Sequence, residues 1–396
     1  MKHLQKLSAY KRPDIRFLTA ARVSRSIAGG MIGVAFPYFI LTRLHYGAFQ
    51  MGVIFVSARI ATAVLGFFSG VAADSQGKRR TLIIVSLLLP LSAFIVFLST
   101  SFWWIMSAAM IGGFSATGSL GGGVSGAVQP VQNAVLAELT NGDERTKFYS
   151  VFSFISGLAT ALGSLLTKVM TIRDVFLAAS IISLAAIPAL WNLHVSDTRK
   201  KIGKLKTKMV IGKFTLTGLL NGMSQGLVVP FLIPYFVLVY HMPMSEMSVY
   251  AFAGRALGSV AILGAPLLER RLGFVKSVVA TRGLGLVLIM LLPVVRFLPV
   301  AIAIYILAPS LRVAAAPIQR SELTKRVHGD DLGRALGINQ VARLAASSTG
   351  TGLSGYLMQN ALYDVPFLAY GILMIGNLCL YVKLFGMKKS HTSSLR

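Results

Sequence analysis

Apolar residues gather along this chain in runs of roughly 18 to 25 positions, separated by short polar or basic segments; that is the length needed to cross a hydrocarbon core of about 30 Å. Thr81–Ser99, Phe176–Leu193, Phe274–Val295 and Val365–Phe385 are the plainest. The pattern predicts helices near 17–42, 48–70, 81–99, 103–128, 148–170, 174–194, 211–238, 246–268, 274–295, 298–319, 334–357 and 365–386. The expected fold class is therefore all-α integral membrane, with twelve transmembrane helices in two pseudo-symmetric six-helix bundles. A basic stretch, Asp197–Lys213, divides them. It sets an N-terminal bundle over 1–196, a cytoplasmic linker over 197–213 and a C-terminal bundle over 214–396.

Internal self-similarity supports the division. Residues 37–41 read P-Y-F-I-L and residues 234–238 read P-Y-F-V-L, an offset of 197. Arg59 matches Arg255 at 196, and Pro130, Gln132, Gly142, Asp143 and Gly163 match Pro317, Gln319, Gly329, Asp330 and Gly350 at 187. The matches fall in order along both halves. A parallel repeat of six crossings puts both halves in one orientation, about an axis along the membrane normal, with a central cavity between them.

Composition agrees with a membrane solvent: 55% of the 396 residues are apolar and 13% charged, and the mean hydropathy is +0.70. A net charge of +26 raises the question of nucleic acid, which the distribution answers. Of the 39 Lys and Arg residues, 28 fall in the tails and alternate gaps on one side, four on the other and seven inside helices. This asymmetry places both termini and the central linker in the cytoplasm of a cell membrane and excludes a nucleic-acid role. Cys379 stands alone, so no intrachain disulfide forms. Residues 1–16 are polar and basic and the first apolar run is too long for a signal-peptide core, so the first helix is expected to act as its own anchor.

The segment after the second predicted helix reads Gly70-Val-Ala-Ala-Asp74-Ser-Gln-Gly77-Lys78-Arg79-Arg80. It resembles the G-x-x-x-D-x-x-G-(R/K)-(R/K) motif of the major facilitator superfamily, and with the helix count and repeat the resemblance covers nearly the whole chain. Gly70 allows close approach, Gly77 a tight turn, and an aspartate is suited to the positive end of a neighbouring helix. The resemblance implies that Gly70, Asp74, Gly77, Lys78 and Arg79 form a conformational latch, with Asp74 against the start of the eleventh helix. A degraded copy, Pro266 to Lys276, follows in the second half. Two features of proton-coupled drug antiporters in that family are missing: Ser107–Gly113 holds no arginine, and Gly157–Gly163 no proline.

Charges inside the predicted helices carry the candidate chemistry. Arg22, Arg25, Arg59, Arg255, Arg282, Arg312 and Arg343 lie there, while all 13 acidic residues fall in loops or at helix ends. A charge at the bilayer centre costs about 2.5–3.5 kcal/mol on insertion scales, so such residues are functional candidates. Arg22, Arg25, Arg282, Arg312 and Arg343 lie in the cytoplasmic halves, within snorkelling reach of the headgroups, and that is the expectation for Arg282. Arg59 and Arg255 lie near mid-membrane, where two readings stay open: hydrogen bonds to backbone carbonyls or amide side chains across the interface, or contact with substrate. Arg22, Arg25, Gly29 and Gly33 share one stripe of the first helix, the glycines for packing and Arg25 facing the cavity.

The resemblance implies that helices 1, 4, 7 and 10 line that cavity. Asn221, Ser224, Gln225 and Tyr305 are polar candidates there, with Asn339 and Gln340 on helix 11. The expected substrate-binding set is Arg25, Arg59, Arg255, Arg343, Asn221 and Gln225. Gly118–Gly126 looks like a dinucleotide loop but follows no strand, and is read as a bend in helix 4. The six histidines lie in loops, tails or helix ends, and no nucleophile or metal-ligand spacing appears. No catalytic residue, metal or cofactor is expected.

The expected function is secondary active transport of a small solute by alternating access. An anionic organic substrate is favoured because the core holds cations and no carboxylate; a co-transported ion stays open. Efflux of hydrophobic compounds or drugs is the alternative, followed by a non-transporting receptor or scaffold on the same fold. The lipid bilayer is the surrounding partner expected, and the oligomeric state stays open, a monomer included.

Overall fold

A computed structural model describes residues 13–114, 127–139, 142–195, 207–327 and 332–386. Gly118–Gly126, most of the 197–213 linker and the side chain of Asp74 lie outside the described residues.

The helices follow the apolar runs. α1 is Pro13–Tyr38, prolonged by a π-turn over Phe39–Arg43. α2 is Ala48–Gln76, and α3 is Lys78–Leu98. α4 is described in two pieces, Phe102–Gly112 and Gln129–Leu139. α5 is Gly142–Leu166, α6 Ile172–Trp191 and α7 Lys208–Tyr240. Met244–Leu291 bends at Gly273 into α8 and α9. α10 is Leu298–Arg326, α11 Leu332–Gln359 and α12 Val365–Phe385.

Among the described residues nine helices are long and apolar enough to cross a membrane. The difference from the twelve expected has physical causes. α8 and α9 run on as one helix and α4 is described in pieces. α11 is too polar, because Asn339, Gln340, Arg343 and a run of Ser, Thr and Gly interrupt its apolar face. It is an inner helix, packed against α2 and α7.

Repeat-related residues set repeat-related breaks. Gly77 (φ 96°, ψ 141°) separates α2 from α3, and Gly273 (φ 74°, ψ 172°) separates α8 from α9. A Cβ is strained at either position. Pro37 precedes the π-turn of α1, whereas its repeat partner Pro234 follows a 3-10 turn of α7 at Val229–Phe231 that is set by a separate proline, Pro230. A proline amide cannot bond to the carbonyl four residues back. The Gly226 carbonyl released by Pro230 is met instead by the Thr351 hydroxyl at 3.1 Å.

Packing repeats as well. α1 lies against α5 and α6, and α7 lies in the same way against α11 and α12. Close approach depends on small residues. A Cβ on Gly30 would fall 2.0 Å from the Thr160 carbonyl oxygen, and one on Gly226 would fall 2.1 Å from that of Ser347. Helices before and after the linker meet mainly as α2 with α11 and α5 with α8.

The large apolar cluster joins both sets of helices at the end away from the basic loops, with Phe36, Phe55 and Phe176 beside Phe231 and Phe236. Phe55 of α2 packs edge-on to Phe231 of α7, centroids 6.3 Å apart. Two smaller clusters lie at the basic end. One draws only on residues 18–195, the other only on residues 210–385. The outer surface is strongly apolar, and Trp103, Trp104 and Trp191 stand exposed at helix ends, where amphipathic rings suit the membrane interface.

Candidate functional site

A narrow cleft opens where α1, α7, α8 and α10 converge, with a cavity volume of about 20 Å³. Pro37, Val229, Ile233 and Pro309 make an apolar wall, and Arg255 supplies its one charge. Tyr305 faces the same space, as does Gly33, which the stripe on α1 had assigned to packing. The middle of α4, expected on this wall, is not described.

Arg255 reaches from α8 to the other set of helices. One terminal nitrogen donates to the Gly30 carbonyl oxygen at 2.9 Å and to the Ser164 hydroxyl. Its Nε has no hydrogen-bond partner. Arg59, its counterpart, is 0% exposed and reaches from α2 to α11. It donates to the Ser347 carbonyl oxygen at 3.1 Å and to the Ser347 hydroxyl. Its Nε and other terminal nitrogen are buried and unpartnered. Each arginine thus crosses the interface in the same manner, to one carbonyl and one serine, with donors left over. Carbonyl bonding across the interface was one of the two readings left open; the unspent donors keep the other available.

The remaining candidates divide. Arg25 is 3% exposed and donates to Gln132 Oε1 at 2.5 Å and to the Ala21 carbonyl oxygen at 3.1 Å. It is held between α1 and α4 and is absent from the cleft wall. Arg343 donates to Gln340 Oε1 at 2.6 Å, and Gln225 donates to Asn221 Oδ1 at 2.9 Å. Asn339 bonds the Phe214 carbonyl oxygen at 2.7 Å. Asn221, Gln225 and Arg343 therefore already have protein partners, and none of them lines the cleft.

Arg282 corrects an expectation. It does not snorkel: at 4% exposure it donates to Asn377 Oδ1 at 3.1 Å and to Gln319 Oε1 at 2.7 Å, under the Tyr381 ring. Amide acceptors on α10 and α12 cost less than dragging the side chain past packed aromatics. Arg22 is buried too, 4.6 Å from the centre of the Phe152 ring. Sequence reasoning missed this amide network, although Gln319 was visible as the repeat partner of Gln132, the ligand of Arg25.

The loop motif is anchored locally. Lys78 pairs with Glu138 at the end of α4. Arg79 donates to the Trp191 carbonyl oxygen and lies over that ring on α6. Gly77 takes the turn foreseen for it, but Gly70 does not mediate a close approach: a Cβ there would meet nothing within 4 Å.

Membrane-spanning helices of this order, converging on a cleft that holds a buried arginine, define a polytopic transport protein. Residues 18–327 match the family model of the Major Facilitator Superfamily. The chain belongs to that superfamily, whose members are transporters rather than enzymes and bind small-molecule substrates. No curated protein matches the sequence. Among solved structures it is similar to the nucleoside transporter NupG, at TM-score 0.73 and 12% identity, covering 94% of this chain and 100% of that one. A D-xylose–proton symporter gives 0.73 and 13%, covering 93% and 98%. The human organic anion transporter MFSD10 gives 0.68 and 14%, covering 93% and 99%. At such identities the likeness is one of fold.

Proposed function

We propose that the protein is a secondary active transporter that moves a small organic anion across a cell membrane by alternating access. Two six-helix halves, 1–196 and 214–396, rock about the cleft, with both termini and the 197–213 linker in the cytoplasm. The observation that carries the reading is the pair Arg59 and Arg255. Both are buried at repeat-related positions, both reach across between the halves, and both keep donors without partners. A carboxylate or phosphate entering beside them would satisfy those donors by charge-assisted hydrogen bonds. A cationic solute would meet only repulsion. A co-transported ion is part of the reading for uptake against a gradient.

The state described is closed away from the basic loops. Tyr38 donates to the Met242 carbonyl oxygen at 2.7 Å, the Phe49 amide to Gln359 Oε1 at 3.2 Å, and Thr167 and Ser248 share a hydrogen bond at 2.6 Å. All three ties lie at that end. With the termini in the cytoplasm, that closed end is the outer one.

The test is flux in proteoliposomes of anionic, neutral and cationic solutes matched in size. Anions are carried, and Arg59→Gln and Arg255→Gln cut their flux at least tenfold. Equal carriage of neutral solutes, or unchanged flux in both variants, sinks the anion reading. The apolar cleft wall favours a second reading, efflux of hydrophobic compounds. In that case overexpression confers resistance and arginine substitution leaves it intact.

A further inference from the structure

Arg312 was set aside in sequence as a cation near the cytoplasmic surface, yet its place on α10 is particular. Tyr305 and Pro309 line the cleft, and Arg312 follows them at the spacings of four and three that keep one face of a helix. Seven residues of helix carry that face about 10 Å from Tyr305 towards the basic end. The Arg312 side chain is half-buried, and no described residue accepts a hydrogen bond from it. It is a cation on the stripe that leads out of the cleft.

Two further arginines converge there. Arg59 is tied to Ser347 of α11, and Arg343 lies one helical turn from Ser347 on the same face of α11. The positive charges of Arg343 and Arg312 both act on the Arg59 guanidinium. Arg59, Arg255 and Arg312 form no ion pair among the described residues. Arg255, beside Tyr305, is thus the charge in the cleft lining, and a cluster of cations lies beyond that lining, roughly two helical turns further along. Arg59 contributes two buried nitrogens without partners to that cluster.

We propose that Arg312 is a further substrate-contacting residue, and that the site takes an organic anion with at least two negative charges on separate groups. One group lies at Arg255 and Tyr305, the other between Arg59, Arg312 and Arg343. This rests on the anion-transport reading and sharpens it. A monoanion satisfies one pole and leaves the other uncompensated. A dianion spanning the two satisfies both, and the apolar wall between them suits a hydrocarbon spacer.

The experiment uses the full chain in phosphatidylcholine nanodiscs, whose neutral headgroups do not compete. Thermal stability is followed against succinate, adipate and suberate, and against the monoamide and diamide of each, at constant ionic strength. At least one dicarboxylate stabilises the protein with a half-saturating concentration at least tenfold below that of its monoamide, and the diamides do nothing. Arg312→Gln removes the tenfold preference, Arg312→Lys retains most of it, and Arg296→Gln, an exposed charge outside the cleft, leaves it unchanged. If Arg312→Gln does not fold, the Lys variant and the charge series decide. Equal response to dicarboxylate and monoamide, or a preference that survives in Arg312→Gln, overturns the proposal. If monoanions bind equally well through Arg255, the anion reading stands without it. If no anion stabilises the protein, both fall.

Discussion

The Arg255 guanidinium on α8 donates to the carbonyl oxygen of Gly30 on α1 at 2.9 Å, across the interface between helices that precede and follow the linker. A main-chain oxygen in mid-helix has already accepted one bond, so this contact is a second and weaker claim on it. An incoming anion competes well for the same donor, and an arginine so placed can trade a structural bond for a ligand. Arg255→Gln should therefore keep the fold and lose the ligand. Charge-assisted hydrogen bonds contribute about 1.5–3 kcal/mol, so a loss of roughly 10–100-fold in anion affinity is expected, read by binding titration. Unaltered affinity would leave Arg255 as an interface brace only.

The close crossing of α7 and α11 predicts opposite outcomes for two glycines on one helix. Gly226→Ala forces a Cβ to within 2.1 Å of the Ser347 carbonyl oxygen and should cost about 1–3 kcal/mol by overpacking. Gly212, near the start of α7, has nothing within 4 Å of an added Cβ. Gly212→Ala should be neutral or stabilise by up to about 1 kcal/mol through helix propensity. Thermal melts of the two variants in the same detergent give the comparison.

Arg282 makes a third prediction. Its bonds to Asn377 and Gln319 hold α9, α10 and α12 together, and Asn377 in turn donates to the Thr217 carbonyl oxygen of α7 at 2.7 Å. Arg282→Ala leaves the buried Asn377 amide oxygen and the part-buried one of Gln319 without this donor, at a cost of about 1–3 kcal/mol for the buried one. The melting temperature should fall, while the ranking of solutes in a flux assay stays as in the parent. A changed ranking would place Arg282 in the transport path instead.

Helix positions were legible because each apolar run is as long as a membrane is thick. The turns were legible where chemistry is unforgiving: Gly77 had to be glycine, and the structure puts it at a positive φ. The pairing of Arg59 with Arg255 was visible as a sequence repeat, and the two do make equivalent contacts. What failed was side-chain direction. Arg282 was judged by depth and Arg25 by its stripe on α1, and neither reveals that Asn377 or Gln132 waits on a neighbouring helix. Arg312 was missed for the opposite reason. Its spacing from Tyr305 and Pro309 was readable, but only the structure shows that this stripe borders the cleft. Gly70 was credited with a close contact because the motif suggested one, and among the described residues nothing lies within 4 Å of a Cβ placed there.

Alternating access is the central claim, and the shared hydrogen bond between Thr167, in the turn that follows α5, and Ser248 of α8 offers its most direct test. The two hydroxyl oxygens are 2.6 Å apart at the closed end, near enough for cysteines at both positions to be joined. In a Cys379→Ser background, Thr167→Cys with Ser248→Cys is reconstituted into proteoliposomes and flux is measured after oxidation and again after reduction. The account predicts that oxidation arrests flux and reduction restores it, with each single cysteine variant unaffected. Full flux through the cross-linked protein would contradict it.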